Sequence, residues 1–312
     1  VPSPLLSPTT AAVRDGSSFD GVEASSLNAW KPYYLTTLEA LPTNVRARIP
    51  ARGEMTTFSL NFLCAFLGGI SWSPGLMYMN SNSERPLLKN RTYYMIDPTY
   101  EPYLPKAPGG HGAKLTAFFN KAPEEVFDNL PEGTNSYTNV PMFVQVTPGR
   151  YAYFGNYSQT RWSDKLDNDT MKAHVPQEVK KHIAVDLTHS AREAWFTREL
   201  KKHFFPKPSY EGAILLPTSD DATTRTIDEE KHNKLVASDV KDYVHELVEW
   251  EREADMRTAM IKAGLILNAF DAADADDSPA LRLWWEYLEC VDWKVDFYNM
   301  LVNLQAREIN SK

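Results

Sequence analysis

Residues 140–166, VPMFVQVTPGRYAYFGNYSQTRWSDKL, leave the chain few folds to choose from. Met142, Val144 and Val146 alternate with Phe143, Gln145 and Thr147. Pro148 and Gly149 then supply turn chemistry, and Tyr151, Tyr153 and Gly155 alternate with Ala152, Phe154 and Asn156. A two-residue period on both sides of a Pro-Gly turn predicts an antiparallel hairpin over 140–157, with Tyr151 and Tyr153 on one face.

Aromatic residues at this density have two uses. Arg150, Tyr151, Tyr153, Asn156 and Tyr157, followed by Arg161 and Trp162, could line a concave surface that stacks on a nucleobase, with Lys180 and Lys181 adding positive potential. The same rings could equally fill a small barrel. The alternation fits both.

Charge separates along the chain. Residues 1–149 hold 11 Lys+Arg against 12 Asp+Glu, residues 150–207 hold 11 against 7, and residues 208–312 hold 11 against 22, for nets of −1, +4 and −11. A basic middle followed by an acidic end disfavours a general nucleic-acid binder and leaves room for a local phosphate patch. The acidic helices of the last third offer a surface for a basic protein partner instead.

Cys64 and Cys290 lie far apart in apolar segments, so no disulfide framework is expected and a reducing intracellular setting, cytoplasmic or nuclear, follows. Val1 is not an initiator methionine, which leaves an upstream signal open. The longest apolar run, 58–70, is interrupted by Asn61 and two glycines, so no membrane partner is expected. No Gly-x-Ser-x-Gly elbow and no Rossmann or Walker glycine pattern occurs. Cys64 sits where a thiolate is penalised, so no catalytic residue and no cofactor is assigned.

Residues 1–29, rich in Ser, Pro, Thr and Ala, read as a flexible arm, and 30–312 as a single α+β domain with an acidic helical insertion around 220–280. A short helix is expected after Pro32, and spaced arginines at 46, 48 and 52 could face an anion or simply solvent. Further helices are expected over 54–67, capped by Thr57 or Ser59, and over 167–200 in two parts around Val175-Pro176. Strands are expected at 76–79, 91–96 and 281–291, an exposed loop within 222–239, helical spacing over 240–269, and a terminal helix at 295–304. The last strand must pair with something earlier, which places the C-terminal part in the main core. Asp271, Asp274, Asp276 and Asp277 fall in a loop without the glycine and glutamate of a calcium site, so a solvated acidic loop is expected.

If 177–196 is helical throughout, His182, Asp186, His189 and Glu193 form a stripe at i, i+4, i+7 and i+11. Of these, His182, Asp186 and His189 could hold a divalent metal with a coordination position open to water. A solvated helix flank is the plainer reading of the same stripe.

Four blocks carry a resemblance. Tyr151, Tyr153, Gly155 and Tyr157 match a W/Y-x-Y-x-G-x-Y element. Thr57-Phe58-Ser59 with Phe62-Leu63 and Gly68-Gly69 matches an opening element, residues 100–112 match a Pro/Gly-rich element, and Leu283-Trp284-Trp285 through Cys290-Val291 to Leu301 match a closing strand and helix. In this order they resemble an uncharacterised domain family of basidiomycete fungi over most of 55–305. Departures lie at His111 within the glycine block and at Asp292-Trp293. The resemblance implies a fungal host and an α+β fold with a small curved antiparallel sheet or partial barrel packed with several helices. It also implies a faint similarity to PUA and SRA barrel modules that read modified bases. The leading expectation is a non-enzymatic binding module for nucleic acid or a modified nucleobase. A protein-interaction domain using the acidic helices comes second, and a metal-dependent enzyme using the histidine stripe third.

Overall fold

The computed structural model describes residues 30–51, 53–79, 87–128, 130–215, 227–274 and 279–310. The expected N-terminal arm, Arg52, Asp276 and Asp277 lie outside them. The strands are β1 (Phe58–Ser59), β2 (Ile70–Ser73), β3 (Leu76–Tyr78), β4 (Thr92–Ile96), β5 (Gly112–Thr116), β6 (Val140–Thr147), β7 (Arg150–Lys165) and β8 (Trp284–Asp292). The helices are α1 (Tyr33–Thr37), α2 (Thr43–Arg46), α3 (Leu60–Leu67), α4 (Asn168–His174), α5 (Gln177–Thr188), α6 (Ala194–Phe204), α7 (Ile227–Ala259), α8 (Ala263–Asp271) and α9 (Val295–Asn310).

The fold is α+β around one curled, half-barrel sheet. Its strand order is β2-β3-β4-β6-β7-β8-β5, with the short β1 pairing β7 off that path. The hairpin expected over 140–157 forms as β6 and β7, turning at Gly149, whose φ of +71 needs glycine. The strand expected near 281–291 joins the same sheet, with β8 running antiparallel to β7 from Asn156↔Asp292 to Lys165↔Trp284.

The sheet is mixed. β4 and β6 run parallel, with Tyr94 opposite Met142. A parallel pair needs a long crossover. Residues 97–139 provide it and carry β5 on the way, to be paired on the far side with β8.

The structure differs locally from these expectations at several points. Residues 54–59 are not helical: Phe58 is fully buried and its backbone pairs with Tyr151, so the helix starts only at Leu60, with Ser59 Oγ accepting from Phe62 N. The segment 177–200 is two helices, because α5 stops at Thr188 and α6 begins after Glu193. Thr188 Oγ1 donates back to Ala184 O, and His189 Nδ1 accepts from Ala191 N, local bonds that compete with the helical ladder. Residues 227–239 are helical, and only part of the stretch expected as a loop lies outside the described residues. Strands β2 and β5 were not anticipated.

Apolar side chains collect on both faces of the sheet. Phe58, Phe62, Leu63, Tyr93, Phe143, Tyr153, Tyr157, Leu288 and Trp293 pack with α3 and α9. Leu115, Trp285 and Tyr287 pack with Met171, Val179, Leu187, Ile266 and Phe270 of α4, α5 and α8. β8 serves both clusters through its two-residue period, with Trp285 and Tyr287 on one side and Leu288 and Cys290 on the other.

The backbone of β7 comes close to β8 at Gly155, next to the start of their ladder at Asn156. The φ of Gly155 is +124, and a Cβ there would stand 2.8 Å from Asp292 O and 2.9 Å from Cys290 Sγ. Gly155→Ala should therefore destabilise the fold by roughly 2–4 kcal/mol, combining strained backbone with a backbone clash. The check is the urea unfolding midpoint; an unchanged midpoint would mean that β7 can move away from β8 at no cost.

Candidate functional site

The expected ligand-binding residues divide into three groups. Tyr153, Asn156 and Tyr157 belong to the interior. Tyr153 Oη donates to Asn156 Oδ1 at 2.6 Å, Asn156 Nδ2 donates to Asn139 O, and Tyr157 Oη donates to Gly110 O at 2.8 Å. Tyr157 is fully buried and Tyr151 nearly so, and burial raises the pKa of both phenols, making them weaker acids. These rings fill the core, the second of the two uses their alternation allowed.

Arg150 is a fastener. Its Nε donates to Thr57 Oγ1 and its Nη2 to Thr57 O at 2.6 Å, holding the residue that leads into β1. Arg161 and Trp162 lie in β7, with their side chains outside the described set. Lys181 pairs with Glu178 on the exposed side of α5. Lys180 is different: it is buried and its Nζ reaches Asp271 Oδ1 at 2.9 Å.

The histidine stripe does not continue past the end of α5. His182 Nε2 stands 3.3 Å from Asp186 Oδ2, and its ring stacks on Tyr100 at 3.8 Å. His189 is the extended residue after the helix and Glu193 the one before α6, so the two later members leave the helical face. Among the described residues no group of three His, Cys, Asp or Glu side chains is placed to hold a metal ion. Of the acidic loop, Asp271 is bound to Lys180, and Asp274 accepts from Arg282 Nε at 2.7 Å.

Lys180 leads to a cavity of about 700 Å³ between the 102–111 loop, the segment at Trp30 and the junction of α4 with α5. Its wall holds Lys31, Lys106, Lys172 and Lys180 against a single carboxylate, Asp271, which Lys180 neutralises. Lys31, Lys106 and Lys172 are exposed and meet no carboxylate among the described residues. The Lys106 ammonium folds back to Pro102 O at 3.0 Å. α5 opens on the rim at Pro176 and Gln177 without a side-chain cap, so its free N–H groups add positive potential.

One wall is aromatic. Trp30 lies flat on His174 at 3.5 Å between ring centres, and Tyr103 meets Trp30 edge-on at 5.6 Å while donating to His174 O. His111 is held by both nitrogens: Nδ1 accepts from Cys290 N at 3.0 Å and Nε2 faces Glu39 O at 2.9 Å, which fixes the Nε2–H tautomer. The departure from the glycine block at His111 thus ties the loop to β8. Trp30, Tyr103, Lys106, Lys172 and His174 escaped the reading of the sequence because they come from three distant segments, and the Pro/Gly-rich element at 100–112 marks a loop without marking its lysine or tyrosine as ligand contacts.

A second polar concentration lies inside the curl of the sheet. Lys114 on β5 and Glu286 on β8 are directly opposed across the ladder and form a buried ion pair. The Glu101 carboxylate accepts from Leu115 N and lies within reach of the Lys114 charge. Burial outweighs that lysine and pushes the Glu101 carboxyl up to about 8, so it is protonated at neutral pH. Cys290, by contrast, is inert: burial lifts its thiol to about 12.

The chain belongs to the family described as domain of unknown function DUF6697, which matches residues 57–304. No curated protein and no solved structure matches it.

The raised Glu101 has a calculable effect on stability. The folded state keeps a proton that the unfolded chain releases above its ordinary value of 4.5, so stability falls as pH rises from there to about 8, then levels off. The slope is at most ~1.4 kcal/mol per pH unit. Glu101→Gln keeps an acceptor for Leu115 N and should flatten this part of the pH–stability profile. A wild-type profile no steeper than the variant's would show that the carboxyl is not protonated by its surroundings.

Proposed function

We propose that this DUF6697 protein is a non-enzymatic binding module whose basic cavity takes a phosphate-bearing ligand with a planar base, a nucleotide or the exposed end of a nucleic acid. The observation that carries the reading is the charge of the cavity wall: three lysines that meet no carboxylate among the described residues gather there in a chain of formal net charge −8. Lys31, Lys106 and Lys172 would neutralise phosphate oxygens, and the uncapped start of α5 would donate to them. Trp30, already stacked on His174, presents an aromatic face for the base. The reading takes residues 30–312 as one unit, because Trp30, the 102–111 loop, α5 and α8 all contribute to the wall. It suits an intracellular setting, to which the two free cysteines also point.

Calorimetric titration at low salt with inorganic phosphate, adenosine monophosphate and a short single-stranded oligonucleotide tests it. Lys106→Ala and Lys172→Ala should each weaken the nucleotide by about three- to tenfold, and added salt should weaken it further. Trp30→Ala should weaken the nucleotide by about fivefold or more while sparing inorganic phosphate. Absence of saturable binding by all three probes removes the reading.

A second reading rests on α7. Val240, Val244, Val248 and Met256 are exposed along it, between 44 % and 66 %, beside the carboxylates of Glu246, Glu249 and Glu253. An apolar stripe edged with negative charge suits a protein partner with a basic, partly apolar face. Reversing the three glutamates to lysine should abolish capture of such a partner and leave the nucleotide site untouched. Retained capture would count against α7 as the surface.

A further inference from the structure

The curled sheet encloses a second cavity, of about 390 Å³, with the opposite electrostatic character. Its wall includes Lys114, Glu286, Glu124, Glu125, Phe119 and Tyr137. Three carboxylates face one ammonium, and that ammonium is already committed: Lys114 is paired with Glu286 and donates to Pro74 O at 3.0 Å. Two carboxylates are left in excess. Glu124 accepts from Ser136 N and Oγ, and Glu125 Oε1 accepts from Ala122 N, bonds that orient both groups without cancelling their charge.

The field in the cavity is therefore negative, and Tyr137 registers it. Its phenol is made less acidic first by burial and then by Glu286, Glu124 and Glu125.

We infer that this cavity is a second binding site, distinct from the basic one, and that it takes a small organic cation such as an alkylammonium or quaternary ammonium group. The volume is in the range of small-molecule sites, Phe118, Phe119 and Tyr137 offer aromatic walls, and Glu124 and Glu125 supply the counter-charge. A metal ion fits poorly, since no three ligating side chains converge among the described residues. An anion is opposed by the excess of carboxylates. The inference does not depend on the nucleotide reading.

The test is titration of the full chain with butylammonium and tetramethylammonium at neutral pH, with 1-butanol as the uncharged control and magnesium as competitor. Both cations should bind saturably, and butanol should not. Glu286→Gln would strand the buried Lys114 charge and risks unfolding, so the informative variants are Glu124→Gln and Glu125→Gln, which keep their hydrogen-bond acceptors. Each should weaken the cations by about fivefold, as expected for a partly exposed charge, and Lys172→Ala should leave them unchanged. Equal binding of butanol, displacement by magnesium, no effect of the double Gln variant, or no saturable signal would each overturn the inference.

Discussion

Strand β7 bonds to three partners, and it can do so only because its backbone comes against β8 with no side chain between them at Gly155. From that contact the register runs both ways. Toward the hairpin it sets Tyr153 opposite Phe143 and turns both rings into the cluster under α3 and α9. Toward the far end it carries β8 to β5, which places Lys114 across from Glu286. A slip of one residue would turn Glu286 into the apolar layer of Trp285 and Tyr287, where its charge would have no partner. The apolar pattern and the buried ion pair therefore enforce the same register.

The two cavities follow from this arrangement in different ways. The negative one has Lys114 and Glu286 on paired strands as its floor, while Glu124, Glu125, Phe119 and Tyr137 come from the connection between β5 and β6. The positive one lies outside, where the 102–111 loop meets the α4–α5 junction. It is held by side-chain bonds to main chain: Tyr103 to His174 O, His111 to Cys290 N, Tyr157 to Gly110 O. Opposite charges on two sides of one sheet also explain how a chain of net charge −8 can hold a locally basic site. The excess negative charge lies largely on α7 and its surroundings.

The parts of the fold that could be read from the sequence are those in which one segment decides its own conformation. The β6–β7 hairpin carried alternation and a Pro-Gly turn, β8 carried large residues at a two-residue period, and the break at Val175-Pro176 was written in proline. β5 gave no such signal: GAKLT is short, begins with glycine and contains a lysine that only Glu286 makes tolerable in the interior. The end of α5 depends on bonds made by Thr188 and His189 to nearby main chain, and on Arg192, which reaches Thr258 O in α7. The site was harder still. Aromatic density at 151–157 allowed either a binding face or a core, and burial decided for the core. Of the positively charged candidates, Lys180 lines the basic cavity, because its helix happens to start there. Trp30 and Tyr103 become neighbours only after the sheet has formed.

The closure of β1 imposes an order on synthesis. Thr56 N donates to Tyr298 Oη, Ser59 N to Gln305 Oε1, and Gln305 Nε2 donates to Thr57 O, contacts that join residues 242 to 248 positions apart. At a ribosomal pace of ~5–20 residues per second, Phe58 and its neighbours emerge roughly 10–50 s before the helix that covers them. Until α9 is made, the Phe58–Phe62 patch has lost water on one side only and is an exposed apolar edge. A nascent chain of this protein is thus a natural client for chaperones that shield such edges, and truncation near residue 295 would make that dependence permanent.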